Sequence, residues 1–332
     1  MYTKIKKSLN FLLRSIIVVL TYGYLYFELF VNKKISHFNV IDQNISFFAL
    51  GFVVFFMLIN YGIEAYKWRY IIGKVEKVQF FQAFKAVFVG LAISFFTPNR
   101  IGDFFGRVFI LKKADRLEGI FATLIGNLAQ LLITLVLGSC ALIYFLPGLN
   151  SEYLHFGNLS IVFLIIGIFI INALLIAVFL NVGFLPDHFS GFSNSLIRKF
   201  INQLQILQKY GRKDLIIILL ISLLRYFVYS FQFYLLFTIF GIKLPLFIGF
   251  LLVFILFFLL AFIPTIAISE LGIRGILSLF IIKTLAPLYF IIPHAEIKIV
   301  AASSILWFIN IAFPSFLGTF FVNDLKFFRK ND

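Results

Sequence analysis

The chain has 332 residues, 62% hydrophobic and 13% charged, with a mean hydropathy of +1.04. Soluble domains run at about half apolar and about a quarter charged, so a chain of this composition could not cover itself with polar surface in water. The 29 Lys+Arg against 14 Asp+Glu give a net charge of +15, which taken alone reads as nucleic-acid binding; the long apolar runs between so few charges exclude that reading and mark the basic residues as cytoplasmic loops of a polytopic membrane protein.

A bilayer span needs about 20 mostly apolar residues. Phe11–Val31, Ile45–Ile63, Leu117–Leu146, Leu159–Asn181, Leu215–Phe240 and Ala301–Val322 meet that test. The first follows a Lys-rich start and resembles a signal sequence, but no small-residue cleavage site follows. Tyr22-Gly-Tyr-Leu-Tyr-Phe reads as an interfacial aromatic end, so this span is expected to be a retained anchor. Two further regions are not simple spans. Phe80–Thr97 is broken by Pro98-Asn99-Arg100 and followed by the short Ile101–Leu111; Leu246–Ile263 meets Pro264, then Leu271–Thr284 runs on before Pro287. Apolar, break, short apolar is the pattern of a re-entrant hairpin.

The fold class expected is therefore all-α and polytopic, with six full spans plus two re-entrant helical hairpins. With that topology the inner segments carry 19 Lys or Arg and the outer ones four, Lys33, Lys34, Lys243 and Lys298. Both termini and the loop Val182–Asp214, an amphipathic connector, are then cytoplasmic, in a single integral domain of the cell membrane. Within it, 1–44 is an N-terminal anchor and outer loop, 45–146 a first repeat, 147–214 a connecting span and loop, 215–322 a second repeat and 323–332 a tail. The repeats are entered from opposite faces, and their hairpins share a Pro break followed by an acid and, four residues later, an Arg: Asp103 and Arg107, Glu270 and Arg274. Inverted repeats with broken helices meeting near the midplane are a transporter architecture.

Ionisable groups at membrane depth are costly unless paired or hydrated. Asp103–Arg107 and Glu270–Arg274 place acid before base at i, i+4 on one helix face; they are either structural ion pairs or a phosphate site built on the planar guanidinium fork. Arg100 adjoins the first break, and Arg225 is a solitary cation inside a span that either snorkels or faces a hydrated cavity. Asn127 and Gln130 can hydrogen-bond a headgroup or a neighbouring helix. Gly102, Gly106, Gly272 and Gly275 are expected to allow close packing. A hydrated pocket lined by Arg100, Asp103, Arg107, Glu270 and Arg274 is predicted, with Asn127 and Gln130 on its wall and Arg225 at its edge. Cys140 stands alone, and His37, His155, His188 and His294 fall in predicted loops without metal-ligand spacing. No catalytic, P-loop or Rossmann pattern is present. Neither cofactor, metal nor enzyme activity is expected.

Glu64-Ala-Tyr-Lys-Trp-Arg69, Thr97-Pro-Asn-Arg-Ile-Gly-Asp-Phe-Phe-Gly-Arg107 and Ile263-Pro-Thr-Ile-Ala-Ile-Ser-Glu-Leu-Gly-Ile-Arg274 resemble the lysylphosphatidylglycerol synthase transmembrane-region family, a flippase-like module, over roughly Ile45 to Val322. The resemblance implies that Pro98, Gly102, Asp103 and Arg107 match the family's first element and Pro264, Gly272 and Arg274 its second. The chain departs from the pattern at Gly275, where many members carry Glu, and at Gly126-Asn127-x-x-Gln130, where many have Glu-Arg-x-x-Asp. The soluble aminoacyl-transferase domain is absent, so synthase activity is not expected. The resemblance implies a lipid translocator moving an anionic phospholipid or polyprenyl-phosphate-linked lipid. The alternative is a non-transporting lipid-binding or anchoring partner of a cell-envelope glycosyltransferase. Membrane lipids are the expected partners, and nucleic acid is not.

Overall fold

The computed structural model describes residues 47–149, 157–184, 204–287 and 293–321, and among them it is all helical. In chain order come α1 (Phe47–Ile72), α2 (Phe80–Ser94), α3 (Gly102–Val108), α4 (Arg116–Leu149), α5 (Asn158–Leu180), α6 (Arg212–Ile239), α7 (Leu246–Phe262), α8 (Ala267–Leu285), α9 (Ala295–Trp307) and α10 (Phe313–Phe320), the last two joined by a π-helical turn at Phe308–Ala312. Among the described residues, five stretches are long and apolar enough to cross a bilayer: Phe48–Ile72, Arg116–Gly148, Leu159–Leu180, Arg212–Ile239 and Ala295–Phe320. The protein is integral to the membrane, with α2 and α7 as shorter apolar helices. The expected anchor Phe11–Val31, most of the connector Val182–Asp214 and the tail lie outside the described residues.

Three boundaries differ from the sequence reading. α1 continues beyond Ile63 to Ile72, so Lys67 and Arg69 sit on a helix rather than in a loop. The helix tolerates Glu64 and Lys67 because they pair with each other at 2.9 Å inside the bundle, while Trp68, Ile71 and Ile72 bury on the same stretch. α8 begins at Ala267 rather than Leu271, with Ser269 Oγ accepting the Ile266 N–H at its start. The last span begins at Ala295, ahead of Ala301.

Packing is set where side chains are smallest. α2 and α3 run antiparallel, and Gly90 faces Gly106 so closely that a Cβ on Gly106 would lie 2.7 Å from the Gly90 Cα. A Cβ on Gly102 would lie 2.8 Å from the Ile93 carbonyl oxygen. Gly275 differs from the sequence reading: a Cβ there would meet Val300 at 3.5 Å, an ordinary contact. α1 packs on α6 and α2, α4 on α7 and α6, α9 on α8 and α6, and α10 on α2. α5 rests mainly on α4 and leaves most of its apolar side chains exposed, as a lipid-facing helix does. The π turn follows from Pro314: proline has no N–H for the carbonyl of Asn310 four residues back, and the Tyr61 hydroxyl donates to that oxygen instead.

One end of the bundle is tied by polar contacts. The Glu76 carboxylate, in the loop before α2, accepts the backbone N–H groups of Lys112, Lys113 and Ala114, in the loop after α3, at 3.1, 2.8 and 2.8 Å. Asp214 at the start of α6 accepts from the Tyr70 hydroxyl at 2.6 Å and pairs with Lys74 at 3.0 Å. The Tyr210 hydroxyl, whose pKa burial pushes up, donates to the Ile71 carbonyl at 2.8 Å. The end of α1, the start of α4 and the start of α6 therefore share one face.

Candidate functional site

The site starts at the two proline breaks. After Ser94 the chain leaves the helix, and Thr97 Oγ1 accepts the Gly102 N–H at 2.8 Å to start α3. Between them Asn99 and Arg100 both adopt left-handed backbone, with φ of 51° and 56°. Asn visits that region readily, whereas for Arg it is uncommon and costs of the order of 1–3 kcal/mol unless surrounding contacts hold it. Two contacts do so, and both reach the second break. The Asn99 N–H donates to the Thr265 carbonyl at 2.9 Å. Arg100 Nη2 donates to Glu270 Oε2 at 2.6 Å. The two breaks, remote in sequence, are bonded main chain to main chain and side chain to side chain.

From each break an ion-pair system extends inward. Arg107 holds both oxygens of Asp103, at 2.8 and 2.7 Å, and reaches Glu64 Oε1 at 2.6 Å. Glu64, 1% exposed, also pairs through Oε2 with Lys67 and with Arg225, each at 2.9 Å. Arg225 extends to Asn60 at 3.0 Å and Gln130 at 3.3 Å. On the other side Arg274 donates to Glu270 Oε1 and, at 2.7 Å, to the Tyr229 hydroxyl, with its guanidinium over the Phe257 ring. Five cations (Lys67, Arg100, Arg107, Arg225, Arg274) thus meet three carboxylates (Glu64, Asp103, Glu270), an excess of two positive charges.

A cavity of about 460 Å³ lies between these groups, lined by Arg100, Asp103, Asn127, Gln130, Arg225, Glu270 and Arg274, with Asn60, Tyr226 and Tyr229. Apolar side chains, among them Phe104, Leu131, Ala261 and Ile263, also line it. Arg225 is 13 residues from Arg212 and 14 from Ile239, about 20 Å from either end of α6 at about 1.5 Å per residue. The cavity is therefore halfway along that span.

Of the residues singled out by sequence, Arg107 alone among the charged ones does not line the cavity; it stands behind Asp103 and joins it to α1. Arg225 is not solitary: it pairs with Glu64 on α1, which it shares with Lys67 and Arg107. Glu64, Asn60 and Tyr229 are participants that sequence reasoning left out of the site. Glu64 carried a signal, an acid three residues before Lys67, but placing the end of the span at Ile63 hid it. Gly90 was also missed as the partner of Gly106. Pro98 follows the end of α2 and Pro264 the end of α7, a Cβ on Gly102 or Gly106 would lie within 3 Å of backbone atoms of α2, and Gly272 is buried in α8.

No curated protein and no solved structure matches the chain. A family model does, over residues 12–285. That match starts well before Ile45, taking in the N-terminal stretch, and stops short of the last span, where the sequence reading ran on to Val322. Both breaks, both acid–arginine pairs and the whole lining of the cavity fall inside it, and the chain belongs to the family described as the lysylphosphatidylglycerol synthase TM region.

Proposed function

We propose that the chain is a lipid translocator, flippase-like and not an enzyme, which passes an anionic phospholipid or polyprenyl-phosphate-linked headgroup through the cavity while the acyl or prenyl tails stay in the bilayer. The observation that carries this reading is the cavity itself: mid-span, lined by three arginines in a cluster with two excess positive charges, and flanked by apolar side chains from α3, α4 and α7. Arg and phosphate match as planar fork and tetrahedral oxygens. Leu131 and Phe262, both exposed, mark the side where tails would lie.

In this proposal α2–α3 and α7–α8 are re-entrant hairpins of an inverted repeat. The Glu76 carboxylate tie supports the first, because it joins the loop entering α2 to the loop leaving α3. Alternating release of the two breaks from one another would expose the headgroup first to one face and then to the other. Both termini are taken as cytoplasmic, on the charge asymmetry of the loops.

The test is reconstitution in liposomes with phospholipids and polyprenyl phosphates labelled on the tail. Headgroup movement that Arg225→Lys and Arg274→Lys reduce by about tenfold, the scale of one lost bidentate contact, supports the proposal. Binding without movement would instead favour a non-transporting partner of a cell-envelope glycosyltransferase.

A further inference from the structure

The hydrogen-bonding capacity around the cavity is lopsided. Each carboxylate of the cluster is paired with cationic side chains: Glu64 through Oε1 by a hydrogen bond from Arg107 and through Oε2 by charge alone with Lys67 and Arg225, Asp103 with Arg107, and Glu270 with Arg274 and Arg100. Donors, by contrast, are left over. Arg100, with its side chain 40% exposed, bonds through Nη2 alone among the described residues. Arg225 uses Nε and Nη1 and leaves Nη2. Gln130 gives its side-chain oxygen to Arg225 and keeps its amide N–H groups, and Asn127 makes no side-chain bond among the described residues.

Resting on the reading that this cavity takes a lipid headgroup, we propose that it selects headgroups that carry phosphate and no ammonium group. Arg100 and Arg225 take the phosphate oxygens, and Asn127 and Gln130 take hydroxyls or further phosphate oxygens. An ethanolamine headgroup is turned away, because its cation would enter a cluster with excess positive charge and find each carboxylate already held by a cationic side chain. A site rejects a ligand strongly when it leaves a buried polar or charged group unmatched. Phosphatidylglycerol and a polyprenyl phosphate share the accepted chemistry.

The experiment uses the full chain in detergent and a phosphatidylglycerol probe with one fluorescent acyl chain. Unlabelled phosphatidylglycerol, a polyprenyl monophosphate and phosphatidylethanolamine compete for it. Displacement by either of the first two at about tenfold lower concentration than by phosphatidylethanolamine, a difference of about 1.4 kcal/mol, is the expected result; which of the two is stronger identifies the source of the phosphate. Asn127→Asp adds a carboxylate to the cavity wall and lowers the excess from two positive charges to one, so it should narrow that gap by severalfold, while Asn127→Ala should not. Equal or better competition by phosphatidylethanolamine overturns the selectivity, as does an unchanged gap in a folded Asn127→Asp protein. Failure of a folded wild-type protein to bind any probe overturns it together with the headgroup site. Selective binding without movement in liposomes defeats the translocator alone, and movement without selectivity defeats this inference alone.

Discussion

Glu64 accepts from Arg107 through one oxygen and faces Lys67 and Arg225 with the other, so three cations converge on one buried carboxylate. Removing one partner of a buried pair leaves uncompensated charge, at a cost of about 3–5 kcal/mol. Glu64→Gln is therefore expected to lower the unfolding temperature sharply in detergent, whereas Gln130→Ala, which removes one weak 3.3 Å contact to Arg225, should hardly move it. The same geometry separates the two acid–arginine pairs. Exchanging Asp103 and Arg107 puts a carboxylate against Glu64, so the double variant should be less abundant and melt lower than wild type. Arg107→Lys should act on stability, since Arg107 stands behind the cavity wall. Arg274→Lys should act on headgroup movement with a smaller effect on melting, because Arg274 lines the cavity. Equal effects of the two Lys variants on both readouts would contradict this division of roles.

The helices obey rules visible in the sequence, and the exceptions have physical causes. Long apolar runs and Pro98 and Pro264 made the spans and breaks legible. The true end of α1 was not, because a hydropathy window stops at Glu64 and Lys67, whose charges cancel only in the folded bundle. Arg225 looked solitary for the same reason: its partner is on another helix. Spacing alone also could not rank the glycines. Gly102 and Gly106 face backbone, and Gly275 faces a valine side chain at ordinary distance. Gly106→Ala must therefore push α2 from α3, and overpacking of this kind costs about 1–3 kcal/mol. Gly275→Ala should be neutral. Thermal unfolding of the two variants side by side checks it; an unperturbed Gly106→Ala protein would mean that α2 and α3 do not pack this closely in the membrane.

At the scale of the whole molecule, polar contacts that line the cavity also join the halves of the chain. The face tied by Glu76, Tyr70, Lys74 and Asp214 gathers the basic loops, and it should be cytoplasmic; with Cys140 replaced, a cysteine at Ser195 should resist labelling from outside intact cells, and strong labelling there would sink the topology. In the proposed mechanism a headgroup moves only when the breaks part, since the bonds from Asn99 to Thr265 and from Arg100 to Glu270 bridge them directly. Two backbones in hydrogen-bond contact are close enough for a short bis-methanethiosulfonate linker, which joins two thiols through disulfides that a reductant cleaves. Asn99→Cys with Thr265→Cys, in a chain with Cys140 replaced by Ser, should cross-link readily and arrest lipid movement in liposomes by at least about tenfold, the scale of one closed conformational equilibrium of about 1.4 kcal/mol. Reduction should restore it. Each single-cysteine variant controls for the substitutions, and both should transport after the same treatment. Undiminished movement through a fully cross-linked protein would show that the two breaks stay together throughout transport, and the headgroup would then have to pass without their separation.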